Sequence, residues 1–437
     1  MEKSGERMVS MTREEAMEHF EEEYVYKYYV QMDKRAEKYI EENNERLTLE
    51  FIETFRSLCK KIKQMQIEGK KGKIAYITFS FGIDNLLHNS HEYMVHAYGS
   101  EWFYEDSEEC KVMHDLNWLY EFMEDTYNQL VEISKKYIGN ITSADLMEVR
   151  KTGVISCDVL FRKFAKKAIE KAVEIDEFKE IEKDEVLEIR NGEYKGYNEI
   201  IYKIDTGVKN SKDIKSWLEK KDDDEDYCNQ ILCNLDLSNG DYKGIGAHHT
   251  DFSGSDLSNS DFEGASLIDA RFNKATIDNV NFKDAVLSES NFSYTTIKNS
   301  NFDGARLSRS NFINSELTGC NLVEANFTGS NFQNGVIRDS VLKNANFFEA
   351  DLENADFSNN DLQGASFVDT NLKGADFSGC NLENATLGLV DLTQTKLEGA
   401  RFGNNKIKKI KILACDVDKL NLSEEQKEEL TIVDRGE

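Results

Sequence analysis

Between Leu232 and Leu422 the apolar positions recur at every fifth residue, beginning Leu232, Leu237, Tyr242, Ala247, Phe252 and ending Ile407, Ile412, Val417, Leu422. Thirty-nine consecutive positions hold this register, fourteen of them Phe, where random placement at 39% apolar content gives only about 15 apolar residues. A second column, two residues before the first, is small. From Thr250 to Ala400 it contains only Ala, Ser, Thr, Cys, Gly or Val, with Asn360 the single exception. The residue between the columns is usually Asp or Asn, and the last residue of each five is often Gly, Asn or Asp, as in Ser-Asp-Leu-Ser-Asn at 255–259. A period of five fits neither a helix nor a strand. It fits a short extended piece followed by a turn. Residues two apart in an extended piece share a face, so both columns point inward. Gly, Asn and Asp tolerate the positive φ of a tight turn. Four such sides close a square coil of about 20 residues, and successive coils pair about 4.8 Å apart.

These units resemble the pentapeptide-repeat family, whose consensus is Ala-(Asp/Asn)-Leu-X-X. The resemblance covers nearly half the chain and implies a right-handed quadrilateral β-helix over residues 231–422. Ser423-Glu-Glu-Gln426 has the form of a capping box opening a helix to Leu430. Residues 423–437 are therefore expected to be a capping helix and tail, and the resemblance implies a homodimer through that element.

Residues 1–220 resemble no family and read as a mostly helical α+β domain. Residues 1–10 read as disordered. Thr12-Arg-Glu-Glu15 opens a helix with Tyr24, Tyr28, Val25 and Tyr29 as its core stripe. A second helix is expected over 48–66, a strand over 73–81 and an aromatic stretch over 93–104. Further helices are expected over 112–137 and 157–175, and a hairpin over 186–204 that turns at Asn191-Gly192. Residues 221–230, with the run Asp222-Asp-Asp-Glu-Asp226, read as a solvated acidic linker.

Net charge is −28, which argues against direct nucleic-acid binding. No apolar run reaches membrane-spanning length and the N-terminus lacks a signal-peptide core, so a cytoplasmic protein is expected. The eight Cys form no Cys-x-x-Cys, and Cys320 and Cys380 fall in the small inward column, so structural thiols are expected. Pro is absent, where average usage of about 5% gives roughly twenty. In the repeat half this fits a coil ladder that needs every donor.

Catalytic signatures are missing: there is no Walker loop, G-x-G-x-x-G or G-x-S-x-G. His88, His91 and His96, with His114, Glu92 and Asp115 nearby, are the one concentration of metal-ligating residue types. Their spacing matches no strong metal motif, and ordinary histidines are the favoured reading. No enzyme activity, cofactor or metal is therefore assigned.

The outside of the coil can be sorted by side, because residues 20 apart stack. Over residues 235–422 the side through Leu237 carries ten acids and four bases, and the next, through Tyr242, eight and four. The side through Ala247 carries four and five, and that through Phe252 four and four. Acid is concentrated on two adjacent sides, at Asp236, Asp256, Glu316, Asp356 and Asp376 on one and Asp241, Asp261 and Asp361 on the other. The family resemblance gives this a meaning. Some members are shaped like duplex DNA and bind DNA gyrase or topoisomerase IV in its place. The magnitude is modest: duplex of the coil's expected length, about 45 Å, carries about 26 charges. The quinolone-resistance branch commonly has loops projecting from the coil, and none is expected in this unbroken register. Phe348 and Val368 are expected outside the coil, as a small apolar patch on a non-acidic side.

The sequence thus reads as a non-enzymatic binding protein whose acidic β-helix mimics DNA toward a type II topoisomerase. The alternative is a scaffold or effector whose N-terminal domain carries the specific activity, catalytic or not.

Overall fold

The computed structural model describes residues 11–82, 91–102, 110–137, 139–196, 198–222, 224–420 and 422–434. The chain divides into two units, 1–207 and 208–437. The expected disorder of residues 1–10 lies outside the described residues, as do His88, Phe103 and Tyr104.

In the first unit, helix α1 (Arg13–Phe20) starts at the expected capping box of Thr12 and Glu15. It runs through a π-helical turn (Glu21–Val25) directly into α2 (Tyr26–Ile67). Two separate helices were expected. The intervening stretch contains neither Pro nor Gly, and exposed i,i+4 ion pairs such as Lys27–Glu23 and Arg46–Glu50 support it. Strands β1 (Ile74–Phe81), β2 (Glu92–Tyr98) and β3 (Lys111–Asp115) follow, then α3 (Asn117–Ser134) and α4 (Ser143–Ala172). A short α5 (Asp176–Glu180) leads to β4 (Lys183–Glu193) and β5 (Asn198–Asp205). The start of the helix expected over 112–137 is thus strand β3. The hairpin β4–β5 forms, but Asn191 and Gly192 lie inside β4 and the chain turns at 194–196. Asn191 is buried and donates through Nδ2 to Asp158, so it serves the core instead of the turn.

The five strands form one sheet in the order β3-β2-β1-β4-β5, with β1 and β4 parallel and the other pairs antiparallel. Ile77, Phe79 and Phe81 of β1 face the helices, where Phe79 stacks on Phe51 of α2 at 4.8 Å. Asp158 of α4 is buried beneath that face, held by Tyr93, Asn191 and Arg162. Gly153 of α4 lets α2 come close, since a Cβ there would lie 2.7 Å from the Tyr29 ring.

The second unit opens with α6 (Ser211–Lys220), earlier than the expected boundary at 220. Leu218 of α6 is buried with Tyr227, Leu232 and Leu235, so this helix covers the first coil and the expected linker is part of the cap. From there the chain is the quadrilateral β-helix. Coils are joined by parallel bridges 20 residues apart, such as Asp236 with Asp256 and Asn281 with Asn301. Three-residue strands recur on one side as β6 (Thr276–Asp278), β7 (Thr296–Lys298), β8 (Glu316–Thr318) and β9 (Val336–Arg338). Further along they recur on another as β10 (Ser366–Val368), β11 (Thr386–Gly388) and β12 (Lys406–Lys408).

Every fifth residue from Asn229 to Leu389 has a positive φ, and not all are turn formers: Tyr294 and Leu389 sit there too. Inside, Phe252, Phe272, Phe292, Phe312 and Phe332 form the expected ladder, with centroids 4.5–5.4 Å apart and near-parallel rings. The five-residue register lapses before Leu422. Phe402 and Ile407 are only partly buried, and residues 414–420 form a 3-10 helix. The 20-residue offset survives, because β13 (Ile410–Leu413) pairs in parallel with β14 (Leu430–Val433). The Ser423–Gln426 capping box forms, but its helix, α7 (Glu424–Lys427), gives way to β14. The end of the coil is therefore covered by a helix and a strand, where a helix alone was expected.

Candidate functional site

The acidic columns begin as turn chemistry. In each five-residue unit the Asp or Asn that starts a side accepts, through Oδ1, the backbone N–H two residues on. Asp236, Asp241, Asp256, Asp261, Asp356, Asp361 and Asp376 all do so. Asn291, Asn311, Asn331 and Asn381 do the same at equivalent positions. Where Asp or Asn stands there the turn bond forms with either, so charge is additional to it, and coils with Thr276, Thr296 or Val336 at that position close without it. Asn side chains extend the pattern upward, Asn281 donating to Asp261 and Asn381 to Asp361.

Five of the eight candidate carboxylates also meet a cation. Asp241 pairs with Lys221 at 2.7 Å, Asp261 with Lys243 at 3.2 Å and Asp356 with Arg338 at 2.8 Å. Asp361 pairs with Lys343 at 3.2 Å and Asp376 with Lys396 at 3.0 Å. Ser238 holds the Asp236 carboxyl below its ordinary range, and Lys221 does the same for Asp241. At Asp356 and Asp376 partial burial pushes upward, but Arg338, Lys396 and the turn hydrogen bonds outweigh it. Asp256 and the exposed Glu316 have no ion-pair partner among the described residues.

The bridges place these groups in two clusters. Asp236 lies beside Asp256 and Asp241 beside Asp261, while Asp356 lies beside Asp376 with Asp361 nearby in sequence. Between the clusters the same positions are Thr276 and Thr296 on one side, and Asn281, Asn301 and Asn321 on the other. Glu316 stands alone between Thr296 and Val336. The lapse is confined to this one position of the five, since Asp278 and Asp339 on the first side and Asp284, Asp303 and Glu324 on the second lie between the clusters. Phe348 is exposed, as expected, whereas Val368 is partly covered and its methyls lie against Gly388.

The histidines occupy separate environments. His91 stacks on Tyr120 at 5.0 Å and bonds Asn117, while His96 lies on the opposite face of β2 from Tyr93 and Val95. His114 is buried against Phe51 and bonds Thr54. Burial pushes both His96 and His114 down to about 4. Among the described residues no group of three His, Cys, Asp or Glu side chains could hold a metal ion, and no helix is long and apolar enough to cross a membrane.

Residues 255–319 and 310–387 match the family model described as a pentapeptide repeat region. No curated protein matches the sequence. Similar solved structures include HetL, a pentapeptide repeat protein involved in heterocyst differentiation regulation in the cyanobacterium Nostoc sp. strain PCC 7120. It is 20% identical, with 47% of this chain and 97% of that chain covered and a TM-score of 0.29. Rfr23 from the cyanobacterium Cyanothece 51142 is 29% identical, covering 25% of this chain and 90% of its own, with a TM-score of 0.25. Full-length QnrB1, a plasmid-mediated fluoroquinolone resistance protein, is 21% identical, covering 44% and 96%, with a TM-score of 0.31.

Proposed function

We propose that this chain, whose C-terminal half is a pentapeptide-repeat β-helix, is a non-catalytic binding protein that presents the β-helix to a basic protein surface. The partner proposed is a type II topoisomerase, gyrase or topoisomerase IV, which the acidic sides engage in place of DNA. The observation that carries the reading is the stacking of like charge at coil spacing: Asp236 on Asp256, Asp241 on Asp261 and Asp356 on Asp376. Asp236 and Asp256 meet no ion-pair partner among the described residues, and the exposed pairs of the other four with Lys and Arg of the coil are weak enough for a groove rich in Lys and Arg to compete on docking.

The turn geometry supplies a clean test. Because Asn makes the same turn hydrogen bond, replacing Asp256, Asp261, Asp356, Asp361 and Asp376 together by Asn removes charge and keeps the coil. In a gyrase supercoiling and binding assay the wild-type chain should bind, and salt should weaken that binding. The five-fold Asn variant should melt close to the wild type and lose the binding. Replacing Phe348 and Val368 by Ser should leave it intact. If the Asn variant binds as well as the wild type and the Ser variant does not, the β-helix docks through its apolar patch and the acidic reading fails.

A further inference from the structure

The sheet of the first unit has a second face, turned away from the helices, and it is polar. Tyr76, Thr78 and Ser80 of β1 lie on it, since Ile77, Phe79 and Phe81 take the helical side. Across the strands, His96 is opposite Thr78, and Arg190 is beside Thr78 on the other flank. Thr78 and Ser80 are fully buried and His96 is 2% exposed. The Thr78 and Ser80 hydroxyls and His96 Nδ1 have no hydrogen-bond partner among the described residues. Buried polar groups in folded proteins are overwhelmingly paired, and a group of three on one face calls for an occupant.

The charge around them has a consistent sign. The charged groups that act on the His96 ring are Lys111, Lys195 and Lys71. One row further, Arg190 and Lys203 share the single carboxylate of Glu188. A locally cationic cluster stands out in a chain of net charge −28. Aromatic rings wall it: Trp102 stacks on Tyr76 at 4.6 Å, with the Arg190 guanidinium 4.7 Å from its ring, and Tyr194 stacks on His96 at 5.5 Å. Hydroxyl donors, an imidazole and surrounding ammonium groups are the complement of an oxyanion with several acceptor oxygens.

We propose that this face of the sheet binds a small phosphate-bearing anion, with Thr78, Ser80 and His96 as its hydrogen-bonding groups and the flanking lysines as its counter-charge. Free phosphate and the phosphate of a mononucleotide share that chemistry, and the aromatic walls leave the second open. The site is independent of the β-helix and of any topoisomerase.

Titration calorimetry on the full chain, in phosphate-free buffer, with inorganic phosphate and with adenosine monophosphate separately, tests it. Saturable binding of either at about 1 mM or below is expected. Adenosine monophosphate binding more tightly identifies a nucleotide site, and equal or tighter binding of phosphate identifies a free-anion site. The near-isosteric pair Thr78→Val and Ser80→Ala should weaken binding about tenfold or more without lowering the melting temperature. Titration of the wild type should also shift the His96 ring resonances. Absence of binding by both probes overturns the proposal, as does binding that the hydroxyl-free variant retains in full. So does a hydroxyl-free variant that melts lower while the wild type binds neither probe, because the hydroxyls then serve the fold.

Discussion

Asn360 is the one amide in the column of small residues from Thr250 to Ala400, and it is accommodated because it makes the bonds that a small hydroxyl makes. Ser255 donates to Leu232 O and accepts from Leu235 N, linking adjacent coils. Asn360 donates through Nδ2 to Ile337 O and Phe357 O and accepts the Ser340 N–H through Oδ1. Asn405, beyond the small run, likewise donates through Nδ2 to the coil beneath, at Leu382 O and Ala385 O, but its Oδ1 accepts the Gly403 N–H. Asn360→Ala should therefore strand the buried Ser340 N–H and cost about 1–3 kcal/mol. Chemical denaturation of the β-helix checks this, and an unchanged or raised midpoint would mean that the amide bonds add nothing. Thr250, Thr295, Thr370 and Thr395 in this column also donate to the coil beneath, whereas Ser260, Ser290, Ser310 and Ser315 donate to the carbonyl three residues earlier in their own coil.

At the scale of the element, the β-helix core is built from stacked rings. Phe292 is fully buried, 4.7 Å from Phe272 and 4.9 Å from Phe312 in its own ladder, and meets Phe282 and Phe302 of the adjacent ladder edge-on. A rigid stack cannot close around a missing ring, so Phe292→Ala should cost on the order of 3–5 kcal/mol. Because each coil touches only its neighbours, the damage should be local, seen as faster amide exchange in the flanking coils. A loss below about 1 kcal/mol is incompatible with the cavity such a ring leaves. The turns carry a different stress. Leu389 at φ 55 and Tyr294 at φ 58 hold the left-handed conformation that Gly and Asn adopt with less strain, and the continuous coil imposes it on them.

For the whole molecule, the two units respond to pH in different windows. In the first, burial lowers His96 and His114 from the ordinary 6.5 to about 4. Both are then neutral in the fold, and as pH falls below 6.5 the unfolded chain takes up protons that the folded one does not. Stability is lost progressively down to about pH 4, by up to about 3 kcal/mol for each histidine. In the second unit partial burial also lowers His248, less far, and Asp236, Asp241, Asp356 and Asp376 lie below their ordinary value of 3.8. Their contribution is intact above that value and disappears only as pH falls through the lower folded values. Thermal unfolding of the full chain at pH 7 and pH 5, in acetate and organic buffers free of phosphate, should show the helix-rich transition moving down and the β-helix transition nearly fixed. A β-helix transition that falls by as much would mean that the histidines are not the source.

The β-helix was legible in the sequence because its constraint is local and repeated. Each five-residue unit must place one large and one small residue inward and bend once, so Phe252 to Phe332 could be aligned as a ladder from spacing alone. The ends of the coil were less legible. Whether Leu218 covers the first coil, or residues 430–433 pair with 410–413, depends on surfaces that the repeat leaves open, not on the period. The acidic residues could be placed on their sides, but their ion pairs with Lys221, Arg338 and Lys396 required the coils to be stacked. In the first unit the helix start at Thr12, the strand at 74–81 and the β4–β5 hairpin were legible, but the way they assemble was not. Asn191-Gly192 reads locally as a turn, yet Asp158 on a distant helix draws Asn191 into a strand. Along the chain Thr78 and Ser80 are two hydroxyls in a strand, and His96 groups with His88 and His91 instead of with them. Thr78, Ser80 and His96 become a site only when strand pairing sets them on one face, because a sheet brings together residues that the sequence keeps far apart.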